Sequence, residues 1–328
     1  MWPPGRANPS FDSRASGPAS QVAARLRLCA PARNPIVMAQ IVHRLPQNTE
    51  GEFYVDSSCI DCDACRQIAP GSFRDHGEQS VVYRQPRNPD ELQRAWMALV
   101  ACPTASIGTV SRRNARPGVE AFPEHLVDQV YFCGFTSESS FGAWAYLVVR
   151  PEESGGNVLV DSPRFTAPLV RRIERMGGVR LMLLSHRDDI ADHARFAAHF
   201  ECPRVMHRDD GAAALGIERI VSGTAPVRID GDFLLIPTPG HTRGHQVFQY
   251  REKILFTGDH LAWSPARQTL TAFRDACWYS WTEQTRSMEK LLPYRFESVL
   301  PGHGRIRHGR AKEMHEHLER CVVWMKTQ

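Results

Sequence analysis

The chain has 328 residues, 42% of them hydrophobic and 23% charged, which suits a globular protein of about two domains with a sizeable core. No apolar run approaches the ~20 residues that a bilayer span needs. The net charge of +4 comes from Arg6, Arg14, Arg25, Arg27 and Arg33 against Asp12, so the chain beyond residue 37 is neutral and carries no nucleic-acid footprint.

Residues 1–37 are rich in Pro, Ser, Ala and Arg and lack an apolar period, so they cannot bury enough surface to fold alone. Two readings follow: an organelle transit leader, or a misassigned start with Met38 as the true beginning. Localisation is expected to be cytoplasmic, or organellar if the leader is real. Nine cysteines, four of them in one pattern, point to metal binding in a reducing compartment rather than to disulfides.

The first element with chemistry is Cys59-x2-Cys62-x2-Cys65, followed at a distance by Cys102-Pro103. Three cysteines at this spacing wrap a loop around a compact cluster and a remote fourth closes it. There is no second set, so one [4Fe–4S] cluster per chain is expected. A structural zinc site is the alternative, but zinc ordinarily uses paired Cys-x2-Cys arms. Between the cysteines, Gln79–Tyr83 reads as a strand. Asn88-Pro89-Asp90-Glu91 opens a helix with Asn88 as N-cap and Pro89 at its first position. The stretch from about 50 to 110 resembles a single-cluster ferredoxin domain. Whether the cluster moves electrons or only holds the loop stays open on sequence alone.

Residues 108–122 read as a polar connector, which divides the chain into a leader (1–37), an iron–sulfur region (38–115) and a second domain (116–328). In that domain Trp144–Val149 and Asn157–Asp161 form a hairpin. Leu169, Val170, Ile173 and Met176 mark a helix that Gly177-Gly178 ends. A strand over 179–184 leads into Ser185-His186-Arg187-Asp188-Asp189-Ile190-Ala191-Asp192-His193. Further strands are expected at 203–206, 233–236, 246–250, 253–256 and 298–300, and helices at 191–200, 283–292 and 309–325.

Metal-binding groups recur at the ends of these strands, beside Gly or Pro that fixes a tight turn. They lie in Thr238-Pro239-Gly240-His241-Thr242-Arg243-Gly244-His245, in Thr257-Gly258-Asp259-His260 and in Pro301-Gly302-His303-Gly304. With the 186–193 stretch they make a set suited to two divalent cations.

In order and in motif, residues from about 123 resemble a metallo-β-lactamase-fold hydrolase. The resemblance implies an αββα sandwich, hence an α/β (α+β) chain with a ferredoxin-like α+β region in front. It implies that His186 and His241 bind a first metal, that Asp192, His193 and His303 bind a second, and that Asp259 bridges them. Asp192 and Asp259 would be the catalytic carboxylates. His245 and His260 fit supporting roles beside the ligands.

The family pattern is His-x-His-x-Asp-His, whereas the run from His186 to His193 is two residues longer and lacks the second histidine. Asp188 is taken as its replacement, with Asp189 as the competing choice. A carboxylate there makes a harder site, open to iron or manganese as well as zinc. The alternatives are a weak or empty first position, or a mere helix N-terminal turn.

Cys133, Cys202, Cys277 and Cys321 read as ordinary thiols, and His199, His207, His308, His315 and His317 as surface or helix residues. Trp278, Tyr279 and Trp281 either wall a substrate pocket or pack internally. Arg267 and Arg274 are candidates to meet an anionic substrate. The expected function is hydrolysis of an ester, thioester or lactone by a metal-activated water. The alternatives are a di-iron oxidoreductase fed by the ferredoxin region and a non-catalytic redox-sensing protein. The expected partners are a small-molecule substrate and a redox partner for the cluster, with neither nucleic acid nor membrane.

Overall fold

The computed structural model describes residues 38–328, so both readings of the leader lie outside the described residues. Two sheets face each other. The first has seven strands, in the spatial order Arg219–Val221, Arg204–His207, Leu181–Leu183, Val158–Val160, Tyr146–Val148, Val130–Phe132 and Glu124–Val127. Its first four strands run parallel to one another and the rest pair antiparallel. The second has six, ordered Val227–Arg228, Phe233–Pro237, Gln246–Tyr250, Ile254–Gly258, Ser298–Pro301 and Arg307–His308.

Strand periodicity explains the layers. Successive side chains of a strand point to opposite faces. In the second sheet Phe233, Leu235, Phe248, Tyr250, Ile254, Phe256 and Leu300 belong to the core shared with the first sheet. Ile236, Val247, Leu255 and Val299 join the opposite core, beneath the helices Trp281–Leu291 and Ala311–Met325. These strands are apolar on both faces because both faces are covered. Helices Ala167–Arg175 and His193–Phe200 add Leu169, Val170, Ile173, Phe196 and Ala197 to the core of the first sheet. The result is an αββα sandwich.

The cysteine region forms around the helix Pro89–Ala101, whose N-cap Asn88 accepts from Glu91 N at 2.8 Å, as the Asn-Pro start predicts. Two short strand pairs flank it: Phe53–Val55 with Ile107–Thr109, and Phe73–Asp75 with Ser80–Val82. The stretch read as a connector is more ordered than its polarity suggests. It contains a short helix, Arg116–Glu120, packed so closely on the longer one that a Cβ on Gly118 would sit 2.3 Å from Trp96 O. Phe53, Ile68, Trp96 and Ile107 belong to the same continuous core as the first sheet. Among the described residues no helix is long and apolar enough to cross a membrane.

Candidate metal centre

Four loops leave strand ends at one edge of the two sheets, and each delivers a ligand-type side chain. After Leu181–Leu183 the chain places His186, Asp188 and Asp189. After Phe233–Pro237 it places His241, after Ile254–Gly258 Asp259, and after Ser298–Pro301 His303. Asp259 Oδ2 lies 3.7 Å from His186 Nε2 and 3.6 Å from His241 Nε2. Asp188 Oδ2 lies 3.9 and 3.5 Å from the same two nitrogens. His303 Nδ1 donates to Asp259 Oδ1 at 2.7 Å, and Asp189 completes a second group with these two.

The donor set fits two cations. His186, Asp189, His241 and Asp259 are buried, yet among the described residues His186 Nε2, His241 Nε2 and both Asp189 oxygens have no hydrogen-bond partner. Buried polar atoms are ordinarily satisfied, and leaving one bare costs about 1–3 kcal/mol. Several bare atoms converging on shared points are the donor chemistry that a bound cation satisfies. Gly302 keeps the floor open, since a Cβ there would lie 2.3 Å from Asp189 Oδ2 and 2.9 Å from Asp259 Oδ1. Asp188, Asp189 and Asp259 beside three imidazoles form a hard, oxygen-rich set.

The electrostatics agree with a charged cage. Burial would raise Asp259, but the imidazoles of His303, His186 and His241 outweigh it and hold its carboxyl well below the usual range. Asp189 has no such help, so burial, then Asp259 and Asp161, push it well up. Burial drops His186 to about 4, which keeps its imidazole neutral, as a ligand must be.

Supporting contacts fix these side chains. Ser185 Oγ lies 2.9 Å from His186 Nδ1, leaving Nε2 for the centre. Asp259 N donates to His245 Nε2 at 3.3 Å, and His245 Nδ1 meets Thr238 Oγ1 at 3.0 Å. His260 stacks on His245 with ring centroids 4.8 Å apart. Sequence reasoning missed Asp210. It is buried and accepts from Arg187 N at 3.0 Å, Thr242 Oγ1 at 2.6 Å and Gly244 N at 2.7 Å. It therefore ties the His186–Asp188 loop to the His241 loop. The available signal was another carboxylate beside a glycine just after a strand, in Arg208-Asp209-Asp210-Gly211.

Asp192 and His193 lie apart from both groups. Asp192 accepts from Phe165 N at 2.7 Å, and His193 Nδ1 accepts from Arg204 Nη1 at 3.1 Å. The physical reason is the path of the chain. It turns through 187–190, passes Ala191 at a φ of 29° and enters a helix at His193, which carries both side chains away. Trp278 and Tyr279 are half exposed beside His241, and both amides donate to its carbonyl, at 2.9 and 3.1 Å. Phe141 flanks the centre from the His303 side, 6.2 Å between rings. Trp281 instead donates to Met325 O, Arg274 to Gln328 O, and Arg267 covers Trp324. His207 is buried rather than superficial, bonded to Gly223 O at 3.0 Å, while His317 is a helix residue as expected, on the buried face of Ala311–Met325 and 3.2 Å from Thr269 Oγ1.

The four cysteines Cys59, Cys62, Cys65 and Cys102 line one cavity with Val55, Ile60, Ser80 and Ile107, and among the described residues none is in a disulfide. Ser80 N donates to Cys59 Sγ at 3.4 Å, the kind of contact that tunes a cluster sulfur. Burial pushes Cys65 up to about 12 and raises Cys59 and Cys62, so iron must displace protons to bind. A low-dielectric pocket with four convergent sulfurs fits an iron–sulfur cluster.

Residues 55–109 match the family of the 4Fe-4S single cluster domain of ferredoxin I. The curated hydroxyacylglutathione hydrolases of Chelativorans sp. (strain BNC1) and Buchnera aphidicola subsp. Acyrthosiphon pisum are 30% and 31% identical over 120 residues, 35% of this chain. The alignment covers 47% of each, so the chain spans about half the length of the curated relatives it matches. Among solved structures, the BLEG-1 B3 metallo-β-lactamase is similar at 19% identity and a TM-score of 0.45, covering 58% of this chain and 99% of its own. The metallo-β-lactamase from Pontibacter korlensis is similar at 18% and 0.46, covering 62% and 98%. Residues 55–109 thus carry the single-cluster [4Fe–4S] ferredoxin pattern, and 120 residues of the chain share sequence with curated hydroxyacylglutathione hydrolases.

Proposed function

We propose that the chain is a metal-dependent hydrolase of a thioester or related acyl substrate. The observation that carries this reading is the convergence of bare, buried ligand atoms from His186, His241 and Asp189 around Asp259. His186, His241, Asp188 and Asp259 would hold one divalent cation, zinc in the first instance. Asp189, Asp259 and His303 would hold the other, with Asp189 in the place that the sequence offered to Asp192 and His193. Bound there, the cations would supply a water acidic enough to ionise near neutral pH and would polarise the acyl oxygen. The chain's own part is positional. Asp259 keeps the two sites close, while Asp189 and Asp188 balance charge on either side. Trp278, Tyr279 and Phe141 supply apolar walls against which the acyl group packs. The curated relatives' printed name, hydroxyacylglutathione hydrolase, supports a thioester as the first substrate to try.

The test is a panel of acyl thioesters, esters and lactones offered to the protein with its metals bound. Thioester hydrolysis abolished by Asp259→Ala is the expected result. An unaffected Asp259→Ala, or no turnover of any member by the wild type, refutes the reading. A second reading rests on Asp188. A carboxylate in place of a histidine hardens the first position toward iron, and an iron–sulfur region stands beside it. Iron beyond the cluster's share in anaerobically purified protein would favour oxidoreductase chemistry, and zinc would favour hydrolysis. The expected surroundings are a reducing compartment, which suits a cluster and unpaired cysteines.

A further inference from the structure

The two metal-binding regions touch. Gly142 has a φ of +87°, and a Cβ on it would lie 2.7 Å from Cys62 Cβ and 2.9 Å from Cys62 Sγ. The residue before it, Phe141, is also left-handed at φ 48°, which is uncommon for a bulky side chain. The carbonyl of Phe141 accepts from His303 Nε2 at 3.4 Å, on the ring edge opposite Asp259. Metal-bound imidazoles usually donate their second N–H to such a group, which fixes the ring. A second bridge runs alongside. Asp63 lies between Cys62 and Cys65, and its Oδ1 sits 3.2 Å from Arg305 Nη2, two residues past His303. Asp63 also pairs with Arg66, so the bridge is anchored within the cysteine loop.

Resting on the two-cation reading above, we propose that the cysteine loop, held by its cluster, orients His303 and so sets the affinity of the Asp189–Asp259–His303 position. Cys62 against Gly142 fixes the Phe141 carbonyl, and Asp63 fixes Arg305 on the far side of the same histidine. The first position takes His186, His241 and Asp188 from segments other than the one that bears His303 and Arg305 and shares only Asp259 with the second, so it does not depend on the orientation of His303. Arg305, Gly142 and Asp63 are positioning residues, and an intact cluster is the condition for a filled second site.

The test uses the full chain, purified anaerobically with its cluster, and measures two zinc dissociation constants by competition with a chromophoric chelator. Asp189→Asn identifies which constant belongs to the second position. Arg305→Gln is expected to weaken that one about tenfold, the lower end of what loss of such a support costs. The first constant and the EPR signal of the reduced cluster should not change, and Arg305→Lys should restore part of the loss. Gly142→Ala presses on Cys62 and Phe141 together, so it should alter the cluster signal and the second constant alike. Wild-type protein stripped of its cluster should behave as Arg305→Gln or worse. Equal weakening of both constants, no change in either, or a stripped protein that still binds two zinc ions normally would overturn the proposal. None of these readouts depends on turnover, so a failed substrate panel would refute the hydrolase reading and leave this one standing.

Discussion

Asp210 accepts a hydrogen bond from Thr242 at 2.6 Å while its other oxygen takes the amide of Gly244, and so the loop carrying His241 is pinned to the loop carrying His186. All three donors lose their acceptor at once in Asp210→Ala. Buried donors left bare cost about 1–3 kcal/mol each, so the melting temperature should fall. Zinc affinity at the His186–His241 position should fall about 10–100-fold, as for other supports of metal ligands. Calorimetry and chelator competition read the two effects, and an unaltered zinc constant would remove Asp210 from the centre.

Asp189 and Asp192 are three residues apart and do different work. Asp189→Asn keeps the volume but removes the charge beside Asp259, so one zinc per chain should be lost. Asp192→Asn, which disturbs only the bond to Phe165 N and the ion pair with Arg195, should leave the stoichiometry at two and cost about 1 kcal/mol of stability. Metal analysis after dialysis separates them. The opposite outcome would restore Asp192 and His193 as ligands.

Gly302→Ala places a methyl group 2.3 Å from Asp189 Oδ2, on backbone held by Trp144 N and Gly258 O. Neither side yields cheaply. The expected result is a folded protein with an unaltered first zinc constant and a second weakened at least tenfold, as when other supports of a ligand are lost. Normal binding of both ions would show that Asp189 moves freely.

Glu218 is bound bidentately by Arg204, at 2.6 and 3.0 Å, and this pairing holds its carboxyl down to about 2. A depressed folded pKa stabilises above the unfolded value of ~4.3 and is lost as pH falls toward 2. The group is half exposed, so screening keeps the contribution to about 1 kcal/mol. Wild-type stability should therefore drop over the window from about pH 4.5 to 2 more steeply than that of Glu218→Gln, measured by denaturant unfolding at several pH values.

The layers were legible because their causes are local. The Asn88-Pro89 start, the Gly177-Gly178 stop and the short apolar runs at 233–236, 246–250 and 253–256 each act within a few residues. The strands Glu124–Val127 and Val130–Phe132 went unread, since the outer one is half exposed and shows no alternation. Ligand-type residues that directly follow a strand and sit beside Gly or Pro were also legible as candidates, and the structure brings His241 and His303 to Asp259. In 186–193, by contrast, sequence order alone does not say where a turn ends. One left-handed residue, Ala191, decides whether Asp189 or Asp192 faces inward. Asp210 was missed because its effect is a contact between loops far apart in sequence, and its local trace is only a carboxylate beside Gly211.

The core that runs unbroken from Phe53 and Trp96 into the first sheet has a kinetic consequence. Two separate proteins exchanging electrons or signals must meet, and their rate rises with concentration. Here no encounter is needed, because Cys62 already rests against Gly142. Whatever passes between the sulfur cavity and the histidine cage is a first-order event. Its rate should be the same in a dilute cuvette as in a crowded cell.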